Sequence, residues 1–171
     1  LAEGVILTRA EAGVERGGEH FRRDRLLDRR PVLLAPVHLE PGMEHGEALD
    51  VLEDVGLAPK ANASAGNLTP PEKRRLEIAR CMVTRPDILM LDEPAAGMNA
   101  AEKMALGELL LRIRDDGKTL LMIEHDVKLV MGICDRLMVL DYGKTLTSGT
   151  PDTVRRDPAV IAAWLGGNVH V

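Results

Sequence analysis

Two short apolar runs, "DILML" at 87–91 and "TLLMI" at 119–123, flank a helical repeat, and this unit limits the possible folds more than any other stretch of the chain. Each run is continuous and of strand length, the pattern of a strand buried on both faces in a parallel sheet. Between them Asn99 and Glu102 have capping-box spacing, Leu106, Leu109, Leu110 and Ile113 fall at i, i+3, i+4 and i+7, and Gly117 supplies a stop. Strand, helix and strand in that order predict a right-handed crossover with both strands ending at one edge of the sheet. Asp92, Glu93, Glu124 and His125 then emerge together, where open α/β sheets bind ligands.

The flanking sequence adds elements on either side. "HGEALDVLEDVGL" puts Ala48, Leu49, Leu52 and Val55 near a three-four repeat that ends at Gly56. "TPPEKRRLEIARCMVTRP" predicts a helix capped by Thr69, with Pro70 in its first turn, Glu72 completing a capping box, and Pro86 ending it. Its buried stripe is read as Leu76, Ala79, Met82 and Val83, with Lys73, Arg74 and Arg75 mostly outward. After a short helix over 127–132, "RLMVL" and "TLTSG" flank the turn "DYGK" as a hairpin. Thr150-Pro151 and Asp157-Pro158 open two small helices, and Gly166-Gly167 ends the second. Residues 1–44 keep no helical or strand period beyond a turn or two and read as a loosely folded or mobile segment.

Composition excludes several functions. Acidic residues number 27 against 22 basic, a formal charge of -5, which argues against a nucleic-acid partner. Aromatics are 2%, so base-stacking platforms are missing and the core must be aliphatic. No apolar run approaches the ~18 residues that a membrane-spanning helix needs. Cys81 and Cys134 lie in apolar segments without a second thiol or histidine at ligand spacing, which predicts buried, reduced thiols and a reducing compartment.

Adjacent carboxylates at the end of a buried strand suit phosphoryl chemistry, one holding a hard cation and the next polarising an attacking water. Asp92 and Glu93 have that placement. The alternative is a polar strand end that merely caps the next loop. A histidine such as His125 is structural more often than functional, but here it follows the neighbouring buried strand on the same edge.

"NLTPPEKRRLEIARCMVTRPDILMLDEPAAGMN", "LLMIEHDVKLVMGICDRLMVLDYGK" and "GTPDTVRRDPAVIAAWLG" resemble the ATP-binding-cassette (ABC) ATPases, specifically the ATP-binding subunits of branched-chain amino-acid importers. The resemblance runs from about His45 to Gly167, with signature region, Walker B strand, D-loop, switch histidine and C-terminal helices in order. It implies that Asp92 is the Walker B magnesium carboxylate, Glu93 the general base and His125 the γ-phosphate contact. Ala95, Gly97 and Asn99 would lie in the D-loop that crosses to a second ABC ATPase subunit. Leu68 and Thr69 would open the signature segment that completes the partner subunit's nucleotide site. ATP and Mg²⁺ are the implied cofactors, with transmembrane permease subunits as further partners and a cytoplasmic location at the inner face of the cell membrane.

Two departures stand out. The phosphate loop G-x-x-x-x-G-K-[S/T] is absent: Gly143-Lys144-Thr145 has Met138 where the first glycine belongs and follows a strand into a hairpin. "LTPPE" replaces the usual Leu-Ser-Gly-Gly-Gln, which removes amides that would donate to phosphate and adds the charge of Glu72. The expectation is therefore an α/β fold, a partial P-loop NTPase domain with a mostly parallel sheet and a helical segment. In this reading 1–44 is a poorly matching segment and 45–171 the C-terminal part of the cassette. That part divides into a signature segment over 45–85, a Walker B to switch region over 86–135, and a hairpin with helices over 136–171. A sheet without its phosphate-loop strand would expose an apolar edge. Two further readings remain open at this point, a non-catalytic remnant or assembly subunit and a stand-alone Mg²⁺-dependent phosphohydrolase.

Overall fold

The computed structural model describes residues 3–9, 31–32 and 45–164. In chain order its strands and helices are β1 (Glu3–Arg9), β2 (Pro31–Val32), α1 (His45–Asp54), α2 (Pro70–Val83), β3 (Ile88–Asp92), α3 (Ala100–Asp115) and β4 (Thr119–Glu124). There follow α4 (Val127–Ile133), β5 (Arg136–Asp141), β6 (Lys144–Gly149), α5 (Pro151–Val154) and α6 (Pro158–Trp164). Two compact units result, Leu1–Ala12 with Leu91–Val171, and Gly13–Met90.

In the first unit the end of β3 enters beside β4, and β4, β1, β5 and β6 continue the sheet in that order. By sequence residues 1–44 read as loosely folded or mobile, and β1 is a regular strand within that stretch. The run Val5-Ile6-Leu7 is too short to show a period, yet it is long enough for a strand with a neighbour on each edge. β1 pairs antiparallel with β4, Val5 opposite Ile123, and antiparallel with β5, Val5 opposite Met138. β4 and β5 therefore run the same way with β1 between them. The rest of the 1–44 reading, beyond β1 and β2, and the helix stop at Gly166-Gly167 lie outside the described residues.

The expected stripe of α3 holds: Leu106, Leu109, Leu110 and Ile113 are all buried. Asn99 and Glu102 cap it reciprocally, and Gly117 ends it at φ 88. Gly107 sits under α4, where an added Cβ would lie 3.3 Å from Leu129 Cδ1. The core is aliphatic, as the scarcity of aromatics requires, with Leu120, Met122, Leu137 and Val139 fully enclosed. The β5–β6 hairpin turns through Tyr142 and Gly143 at φ 46 and 73, the paired left-handed conformation of a two-residue loop.

In the second unit β2 pairs parallel with β3, Pro31 opposite Ile88 and Val32 opposite Leu89. α1 stops where expected, with Gly56 at φ 72 and the Leu57 N–H donating to the Leu52 carbonyl at 2.7 Å. Its stripe is narrower than read, since Val55 is buried while Leu49 is exposed. The buried face of α2 is Ile78, Ala79 and Cys81, with Leu76, Met82 and Val83 only half-buried. Apolar residues occupy so many positions from 76 to 83 that periodicity alone does not fix the centre of that face. Cys81 and Cys134, each within its own unit, are free and buried as expected, and burial raises both thiol pKa values. No helix among the described residues is long and apolar enough to cross a membrane.

Candidate functional site

β3 ends on Asp92, whose side chain is exposed, and the chain then turns sharply because Glu93 takes φ 41. That turn costs backbone energy for a residue with a Cβ. It lets the Glu93 N–H donate to the Ile123 carbonyl at 2.9 Å, while its carboxylate leaves the sheet edge. There Glu93 Oε1 lies 3.1 Å from His125 Nε2, both side chains about half exposed to solvent. The two strand ends and the two residues predicted to act together thus meet.

The residue between those strand ends was placed at the edge by the sequence but given no role. Along β4, Met122 is buried, Ile123 exposed and Glu124 buried, so alternation turns the Glu124 carboxylate inward. Its Oε1 accepts from the Ala95 N–H at 2.7 Å. Its Oε2 accepts from the His125 N–H at 3.0 Å and, more weakly, from the Asp126 N–H at 3.4 Å. The signal that could have found it is a carboxylate on the inward parity of an otherwise apolar strand.

The loop after Glu93 is held by its own backbone. Ala96 N–H donates to the Glu93 carbonyl, Met98 N–H donates to the Ala95 carbonyl, and Gly97 takes φ 74. Ala95 is buried and its N–H is already spent on Glu124. Gly97 and Asn99 are exposed, and the Asn99 amide oxygen accepts from the Glu102 N–H to cap α3. Lys103 on α3 pairs with Asp126 at 2.7 Å, and Asp126 caps α4 through the Leu129 N–H.

Leu68 and Thr69 belong to the second unit. Both have extended backbone, Leu68 buried and Thr69 exposed at the start of α2. The Thr69 N–H donates to Glu72 Oε2 at 2.9 Å, and Lys60 Nζ sits 2.6 Å from Glu72 Oε1. Lys60 first, then Thr69, hold the Glu72 carboxyl down to about 2. With Pro70 and Pro71 lacking N–H groups, this helix start is poor in donors for an anion. Gly143-Lys144-Thr145 lies in the turn and first residues of β6, exposed, and opens no helix, so it cradles no phosphate.

Among the described residues no cluster of three or more His, Cys, Asp or Glu side chains could hold a metal. Mg²⁺ does not require such a cluster, since it keeps several waters and is bound through one or two carboxylates plus substrate phosphates. Asp92 presents one exposed carboxylate at the strand end, a hard oxygen donor of the type that Mg²⁺ takes.

Two strand-end carboxylates, one of them beside a histidine on the neighbouring strand of an α/β sheet, form an arrangement of the kind that suits phosphoryl transfer. Residues 11–96 match the family described as "ABC transporter", and residues 144–170 match "Branched-chain amino acid ATP-binding cassette transporter". The "High-affinity branched-chain amino acid transport ATP-binding protein LivG" of Escherichia coli K12 is 46% identical over 92% of this chain and 69% of its own length. The Pseudomonas aeruginosa protein of the same description, BraF, is 53% identical over 67% of this chain and 46% of its own. A solved ATP-binding cassette of an ABC transporter in its ADP conformation matches with TM-score 0.67 at 27% identity, over 76% of this chain and 54% of its own. The chain belongs to the ABC transporter ATP-binding family. It spans about half the length of that solved cassette. The family match begins at residue 11, inside the segment where the motifs show no correspondence.

Proposed function

We propose that the chain works within the ATP-hydrolysing subunit of an importer for branched-chain amino acids. It would act with a second cassette and with transmembrane permease subunits at the cytoplasmic face of the membrane. The observation that carries the chemistry is the 3.1 Å contact between Glu93 and His125 on the edge where Asp92 ends β3. The solute class is supported by the names of the similar proteins.

With its proton on Nε2, the imidazole of His125 donates to Glu93 Oε1 and leaves Oε2 open to water. In the proposed step the Glu93 carboxylate takes a proton from that water as its oxygen attacks the γ-phosphorus of ATP. The bond to the bridging oxygen breaks, and ADP leaves. His125 turns its Nε2–H from Glu93 to a γ-phosphate oxygen, where charge accumulates. Asp92 would hold Mg²⁺, which when bound offsets phosphate charge. Gly97 and Asn99, both exposed, would face the second cassette, with the buried Ala95 holding their loop through Glu124, and Thr69, next to the buried Leu68, would help complete the partner's nucleotide site with few amide donors.

The test is Glu93→Gln in the assembled transporter. Turnover should fall by ~10²–10⁴-fold with ATP affinity nearly unchanged, because a base acts mainly in the transition state. Loss of ATP binding would show that Glu93 is misassigned. An assembly in which the unsubstituted chain binds no nucleotide would favour the non-catalytic remnant, and hydrolysis of simple phosphate esters without ATP preference would favour the stand-alone phosphohydrolase.

A further inference from the structure

We propose that Glu124 is a positioning residue, a latch that ties the loop after β3 to the loop after β4 and so holds Glu93 against His125. The Glu124 side chain is buried, the residue 5% exposed overall, and a carboxylate placed there is costly unless its oxygens are satisfied. They are satisfied in a divided way. Oε1 takes the Ala95 N–H at 2.7 Å, from the loop that begins with Glu93, and Oε2 takes the His125 N–H at 3.0 Å, from the histidine itself. Ala95 follows Glu93 by two residues, and the Ala96 N–H closes a turn back onto the Glu93 carbonyl at 3.1 Å. Fixing Ala95 therefore fixes the turn that aims Glu93, while fixing the His125 amide sets where the imidazole starts. The two half-exposed side chains that meet at 3.1 Å are steered from beneath by one buried group.

Only a carboxylate can accept on both sides. Glutamine is nearly isosteric but has one accepting oxygen and one donating NH₂, so it must face one of the two loops with a donor against a donor. Glu124→Gln is consequently a probe that keeps the shape and breaks the division of labour. The catalytic consequence rests on the proposed function, but the latch itself is read without ATP.

The experiment uses the full chain as wild type, Glu124→Gln and Glu124→Ala, by amide hydrogen exchange and by the ¹⁵N resonance of His125 Nε2. With one of the two buried bonds to a charged group lost, protection of the Ala95 or His125 amide should drop by about tenfold or more in Glu124→Gln. The Nε2 resonance should move toward its position in Glu93→Gln, and the double variant Glu93→Gln with Glu124→Gln should show no further movement. Should Glu124→Ala fail to fold, the isosteric Glu124→Gln still decides. Unchanged protection at both amides would overturn the latch, and so would lost protection with Nε2 unmoved, which would reduce Glu124 to a loop tie. Absence of ATP hydrolysis in every form would count against the proposed function, while exchange and Nε2 would still decide the latch.

Discussion

Glu93, the proposed base, occupies a backbone position that suits glycine, with φ 41. A left-handed conformation costs a residue with a Cβ roughly 1–2 kcal/mol, whereas glycine adopts it freely. Glu93→Gly and Glu93→Ala both remove the carboxylate, so both should lose turnover. Their stabilities should fall in the reverse of the usual order, with the glycine variant about 1 kcal/mol more stable than the alanine variant in urea unfolding. Alanine the more stable would mean that residue 93 does not hold this conformation in solution. Glu72 gives a pH-dependent counterpart. Its carboxyl is held at about 2 by Lys60 and Thr69, below the usual ~4.3 of a glutamate. A depressed carboxyl contributes stability fully above its unfolded value and loses it as pH falls through the folded one. Glu72→Gln should flatten the acid limb of stability between about pH 4 and pH 2, read as the urea midpoint across that range. An unchanged limb would mean that the contact to Lys60 does not persist in solution. The placement of Asp92, Glu93 and His125 at one sheet edge was legible at this scale, since each lies at or just past the end of an apolar strand. Glu124 was not, because a carboxylate at a strand end reads the same whether it faces in or out until the parity of β4 is known.

At the scale of elements, legibility followed agreement among local signals. α3 has a cap, a clean stripe and a glycine stop, and all three hold. α2 has a clean cap and a proline stop, but its apolar residues crowd too many positions to centre the stripe. The join between α3 and α4 offers a measurable case. Asp126 caps α4 and pairs with Lys103, whose ammonium, together with the Leu129 N–H, keeps the Asp126 carboxyl below its ordinary value. Asp126→Ala should cost about 1–2 kcal/mol through the lost cap, and Asp126→Asn less, because asparagine caps as well and only the partly exposed pair goes. The asparagine difference should be present above about pH 4 and vanish as pH falls through the depressed folded value. Equal losses for both variants would show that the pair, rather than the cap, stabilises this end of α4. The start of α2 bears on function more directly. Replacing Thr69, Pro70, Pro71 and Glu72 by Ser, Gly, Gly and Gln restores amides to the helix start. In the assembled dimer this should raise ATPase activity about tenfold or more, if even one charge-assisted bond worth roughly 1.5–3 kcal/mol forms to phosphate. Lys60 already neutralises Glu72, so the gain comes from the amides more than from the removed charge. Unchanged turnover with ATP bound would detach this segment from the nucleotide.

Across the whole molecule, the feature that sequence could not supply is β1. Its partners lie far along the chain, with Ile6 opposite Met122 on one side and Leu137 on the other, and no local period announces a pairing set by such distant strands. A sheet lacking a phosphate-loop strand was expected to expose an apolar edge, but β1 covers the facing edges of β4 and β5. Neighbouring strands lie about 4.8 Å apart, so removing β1 opens a gap of roughly 10 Å that β4 and β5 cannot close without repacking α3 and α4. Both would then present unpaired N–H and C=O groups on long apolar strands, the template for edge-to-edge association. Ile6→Pro is the milder version, since it removes the N–H and forces a bend in a strand paired on both sides. Deleting residues 1–9 should make the chain associate in sedimentation velocity, with a mass that grows with concentration. Ile6→Pro should lower stability by about 1–3 kcal/mol and show the same tendency at higher concentration. A deleted chain that stays monomeric with an unshifted thermal transition would mean that β4 and β5 do not depend on β1, and that the first residues are the dispensable segment their sequence suggests.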